Sequence, residues 1–133
     1  MSDVVTFHFR LAAKGSGYEV ALSCDGFEPA GTSFEAGMLG GHLATVVELI
    51  RDNRARDEHL MYAGTALWAS LAGGDVGRRI DEVVQATADR RPLYHVRLSL
   101  PKELRGLPWE TLYDERRVGF LASAEDYCVV HDP

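Results

Sequence analysis

Apolar and polar residues alternate twice near the start of the chain. Val5, Phe7, Phe9 and Leu11 fall on one side of an extended segment, and Tyr18, Val20, Leu22 and Cys24 repeat the pattern after a turn at Lys14 to Gly17. A period of two belongs to strands with one buried side, so residues 3–24 predict a β-hairpin. The next stretch, DGFEPAGTSFEAG, is punctuated by Gly, Pro and Ser and predicts a loop with a short extended piece around Phe34.

The period then changes, and residues 38–89 predict three helices. Leu39, Leu43, Val46, Val47 and Ile50 recur at helical spacing opposite Glu48, Arg51 and Asp52. Leu60, Gly64, Leu67, Trp68 and Leu71 form a second stripe that stops at Gly73-Gly74, where glycine can adopt a left-handed helix end. Asp75 is the expected N-cap of a third, continued by Val76, Ile80, Val83, Val84 and Thr87. Each stripe needs a surface to lie on. The segment LYHVRLSLP supplies one, with Tyr94, Val96, Leu98 and Leu100 on one side, His95, Arg97 and Ser99 on the other, and Pro101 as its end. GFLAS and YCVVH predict two more short strands. The expected fold is mixed α+β, with helices packed on a small sheet in one domain over residues 1–133.

Composition narrows the functional classes. With 133 residues and 46% hydrophobic content the chain can build one real core. A formal charge of −6 disfavours nucleic acid and anionic membrane surfaces as partners. The pairs Arg78-Arg79, Arg90-Arg91 and Arg116-Arg117 each have Asp or Glu nearby, as expected of solvated helix ends and turns. No segment has the length and apolarity of a membrane span, and the N-terminus lacks a signal pattern, so a cytoplasmic location is expected. Cys24 and Cys128 are then expected as reduced, packed thiols. Lys14 and Lys102 stand among twelve Arg, a bias that hints at a bacterial genome.

Candidate chemistry is sparse. His8, His42, His59, His95 and His131 show no ligand spacing, so no metal is expected. The GMLGGH stretch lacks the lysine and hydroxyl of a phosphate-binding loop, and no cofactor is expected. Cys128 and His131 are three apart on a strand, hence on opposite sides. Cys24 shares the alternation of Leu22, whereas His8 is out of phase with Phe7 and Phe9. The GLPWETLYD stretch, Gly106 to Asp114, offers two readings. As chemistry, Glu110 and Asp114 are a carboxylate pair at helical spacing. As structure, Pro108 opens a short helix, Trp109 and Leu112 fill a gap between sheet and helix, and Glu110 ties down backbone amides or an arginine, Arg97 or Arg105 being nearest. The structural reading is preferred.

The run HVRLSLPKELRGLPWETLYDERRVGFLAS, residues 95–123, joins an Arg/Leu strand to Pro-x-Glu-Leu, Leu-Pro-Trp-Glu-x-Leu-Tyr-Asp and Gly-Phe-Leu-Ala. This block resembles the start of the CHAT domain, a bacterial relative of the caspase and separase peptidases. Residues 93–131 would be that CHAT-like block, and Leu107, Pro108, Trp109, Glu110, Leu112, Tyr113, Asp114, Gly119 and Phe120 its structural motif. The family's active site is a His-Cys dyad in His-Gly and Ser-Ala-Cys-like contexts, and neither motif occurs in this sequence. The resemblance implies a non-catalytic N-terminal module that braces or regulates a C-terminal peptidase half or docks partner proteins. Two other classes remain open: a small thiol enzyme using Cys24 or Cys128, and a free-standing adaptor that forms a homodimer through sheet edges.

Overall fold

The computed structural model describes residues 3–114, 119–121 and 127–131. The alternating start folds as expected into β1 (Val4–Lys14) and β2 (Gly17–Cys24). Their antiparallel register pairs Lys14 with Gly17, leaving a two-residue turn in which Gly15 takes a φ of +59°. A positive φ at the first turn residue suits glycine and matches the right-handed strand twist.

The segment expected as a loop is instead a third strand, β3 (Phe27–Glu35), antiparallel to β2. Its fully buried residue is Phe34, so the chain alternation that marks a half-buried strand is weak there. Backbone pairing to β2 makes this strand, with Pro29 tolerated at the sheet edge. The signal that could have found it is Asp25-Gly26, a hairpin dipeptide directly after an alternating strand.

Three helices follow: α1 (His42–Arg51), α2 (Asp57–Leu71) and α3 (Gly74–Thr87). The expected Asp75 cap is displaced by two residues. Gly73 caps α3, Gly74 has a φ of +50°, and Asp75 sits in the first turn, where its carboxylate favours the positive end of the helix dipole. The chain then enters β4 (Leu93–Ser99), which runs parallel to β1, and later β7 (Tyr127–His131), parallel to β4. The sheet order is β3-β2-β1-β4-β7. A separate small ladder joins β5 (Tyr113–Asp114) and β6 (Gly119–Phe120).

The apolar alternations meet on one side of the sheet. Phe7, Phe9, Val20, Leu22, Val96 and Leu98 form one core with Leu67 and Leu71 of α2 and Val76, Ile80 and Val83 of α3. Phe7 stacks on Tyr94 at 5.8 Å and Tyr94 on Tyr127 at 5.0 Å, which ties three parallel strands together. Thr87 adds a polar bolt at the end of α3: its hydroxyl donates to the Val83 carbonyl at 2.7 Å and lies 2.9 Å from the Tyr94 hydroxyl. Leu43, Val46 and Val47 of α1 form a second cluster with Ala63 of α2. Buried residues thus occur on both sides of α2.

Candidate functional site

The tryptophan stretch packs against the middle of α2, at Gly64. Trp109 and Leu112 are 0% exposed. Pro108 precedes a single 3-10 turn, Trp109–Thr111, and the indole Nε1 donates to the Leu104 carbonyl at 2.7 Å, so the ring buries its surface without stranding its one polar atom. The Thr111 hydroxyl donates to the Pro108 carbonyl at 2.7 Å, and the Arg51 guanidinium of α1 reaches the Gly106 carbonyl at 3.3 Å. Leu107 packs against both apolar clusters. The Leu121 amide donates to the Leu112 carbonyl at 3.0 Å, next to the Tyr113–Phe120 and Asp114–Gly119 pairings of the small ladder.

The carboxylates of this stretch do not form a working pair. Glu110 is exposed on the 3-10 turn, whereas Asp114 is 3% exposed within β5. Helical spacing would have required a helix across residues 110–114, and the chain extends there instead. The expected tie from Glu110 to Arg97 or Arg105 is also replaced: the Arg105 Nε donates to the Leu100 carbonyl at 3.2 Å, and Arg97 stands on β4. Arg116, Arg117 and the residues around them lie outside the described part of the chain.

The thiols are no better placed. Cys24 is 8% exposed and joins the core. Burial, with Asp25 nearby, pushes its thiol above the usual range, away from the thiolate a nucleophile needs. The register sets His8 opposite Ser23, one position out of phase with Cys24. His8 is half-buried, and its Nε2 hydrogen-bonds the Ser99 hydroxyl at 2.7 Å. On β7 the backbone positions of Cys128 and His131 pair with His95 and Leu98, which have opposite parity along β4; their side chains lie outside the described residues. Among the described residues no group of three or more His, Cys, Asp or Glu could hold a metal ion, and no helix is long and apolar enough to cross a membrane.

Sequence reasoning passed over the other side of the sheet. Its positions in β1, β2 and β4 include Thr6, His8, Arg10, Glu19, Ala21, Ser23, His95, Arg97 and Ser99, each exposed or half-buried. No described element seals them as the helices seal the opposite side, where Phe9, Val96 and Leu98 are 0% exposed. A depression of about 550 Å³ lies here, lined among others by Thr6, His8, Arg10, Ser23, Asp25 and Arg97. The polar half of each alternation was the available signal. No family model, curated protein or solved structure matches the chain.

Proposed function

We propose that this chain is a non-catalytic docking module whose partner sits on the polar side of the sheet. The observation that carries this reading is the polar side of the parallel strands β1 and β4, over which no described element packs as the helices do on the other side. Parallel strands in stable proteins are usually covered on both sides, because their crossover connections place helices there. Here one side is sealed by α2 and α3, while the other carries half-buried Thr, His and Ser and exposed Arg. A surface of that composition would be completed by a polar partner rather than by lipid.

The resemblance of residues 95–123 to the start of a CHAT domain suggests who that partner is: the peptidase-like half of such a protein, which the module would brace or regulate in the cytoplasm. Buried Cys24, out of phase with His8, supports a supporting role over thiol chemistry. Pairing through sheet edges into a homodimer is less favoured at β3, where Glu28, Pro29 and Glu35 hinder strand addition.

The test has two steps. The reading frame of the gene should run past Pro133 into His-Gly and Ala-Cys motifs. The separately expressed downstream half, added to the isotope-labelled module, should then shift the amide resonances of Thr6, His8, Ser23 and Arg97. A frame without those motifs, or shifts confined to α1–α3, refutes the proposal.

A further inference from the structure

The three helices are not held alike. α2 and α3 put Leu67, Leu71, Val76, Ile80 and Val83 into the cluster that the sheet builds. α1 instead buries Leu43, Val46 and Val47 in a separate cluster, where its fully buried partner is Ala63 of α2, with half-buried Ala66 and Leu107 beside it. Among the described residues no strand residue belongs to that cluster. Alanine offers little apolar surface, so α2 holds α1 less firmly through Ala63 and Ala66 than it holds the sheet through Leu67 and Leu71. The two ends of α1 add little. Gly40 and Gly41 precede it, Gly41 has a φ of +59°, and no side chain caps its first amides. Asn53 follows with a φ of +58° in an exposed stretch, residues 51–54. The Arg51 guanidinium reaches the Gly106 carbonyl at 3.3 Å, and the His42 ring meets the Tyr62 ring edge-on at 4.7 Å. All four of these residues are exposed, where water competes for such contacts.

We propose that α1 is a strap that unlatches from α2 and unfolds as a unit, while the sheet, α2, α3 and the tryptophan stretch stay folded. The inference does not depend on the docking function above. The unit is bounded by Gly40-Gly41 on one side and Asn53 on the other, the two places where the backbone already leaves helical geometry. A helix of ten residues is unstable in water without a neighbour, so leaving the α2 surface and losing the helical hydrogen bonds are one event. What remains keeps its own support. Trp109 and Leu112 belong to the sheet cluster, and the indole bond to the Leu104 carbonyl involves no residue of α1. Leu107 packs against both clusters and loses one of them. Opening therefore uncovers Ala63 and one side of Leu107, a surface on the helix layer that the closed strap hides. Units of this kind, with few buried partners and hinges at both ends, are the ones that open below the free energy of global unfolding.

Native-state amide hydrogen exchange on the full chain, followed by NMR at rising urea below the unfolding midpoint, tests the proposal. The amides of Val46, Val47 and Ile50 should be protected about 100-fold less than those of Phe9, Val96 and Leu98. Their exchange should hardly respond to urea, whereas exchange in the sheet should accelerate steeply, because the slope follows the surface exposed in each opening. Val96→Ala separates a strap from a merely weaker helix. Removing two buried methyl groups from the sheet cluster should raise exchange of the sheet amides at least about tenfold. It should leave the α1 amides unchanged, since the Val96 contacts survive when the strap opens. Should Val96→Ala not fold, the urea slopes of the unmodified protein decide the matter. Equal protection of α1 and the sheet, parallel urea slopes, or α1 amides that follow the sheet in Val96→Ala overturn the strap. Exchange at Leu67 and Leu71 matching that of α1 would place α2 in the opening unit and overturn it as well.

Discussion

Gly64 of α2 lies directly against the Thr111 backbone. A Cβ built on this glycine would stand 1.8 Å from the Thr111 carbonyl oxygen and 3.0 Å from the Tyr113 Cβ. The helix and the tryptophan stretch therefore touch backbone to backbone, which lets Trp109, two residues before Thr111, sink fully into the core.

Gly64→Ala should consequently destabilise the protein although alanine is the better helix former. The gain in helix propensity is about 1 kcal/mol, while forcing the two segments apart costs about 1–3 kcal/mol or more in displaced packing. The obstacle is backbone, which cannot swing aside as a flexible side chain would. Chemical denaturation measures the balance. A Gly64→Ala protein at least as stable as the parent would mean the segment is not locked to α2.

Trp109→Phe probes the same lock from the other side. The variant loses ring volume and the indole donor, leaving the Leu104 carbonyl with the longer bond from the Leu107 amide at 3.3 Å. Cavity formation and the lost hydrogen bond together should cost about 2–4 kcal/mol. The midpoint of urea unfolding should fall with little change in slope. An unchanged midpoint would show that the buried indole contributes nothing.

Cys24 should resist alkylation by iodoacetamide at neutral pH until the protein is unfolded. Its buried thiol titrates above the usual range in the folded chain. The stability it contributes is thus fully present below the ordinary thiol pKa. It is lost as pH rises toward the folded value, because only the unfolded state ionises easily in between. Cys24→Ala should therefore lose less stability than the parent on raising pH from neutral into the alkaline range. Rapid labelling of the folded protein at Cys24, followed by mass spectrometry, would revive a thiol-enzyme reading.

Much of the local structure was legible beforehand. The period-two runs ending at Cys24 and at Leu100 placed β1, β2 and β4, and the stripes around Val46, Leu67 and Ile80 placed the helices. What failed was local in each case. Phe27–Glu35 buries too little to alternate, so its pairing to β2 outweighed its loop-like composition. Glu110 and Asp114 were spaced for a helix that ends after one 3-10 turn.

The sequence by itself determined parity: which residues of each strand share a side, and that Cys24 is out of phase with His8. Only the tertiary structure decided neighbours. It set β4 parallel to β1, and so gathered His8, Arg10, His95 and Arg97 on one surface; it also brought Gly64 against Thr111. The physical reason is that alternation records how one strand meets a boundary between apolar and polar surroundings. Which strand lies alongside, and whether anything covers the polar side, depends on contacts between residues distant in the chain.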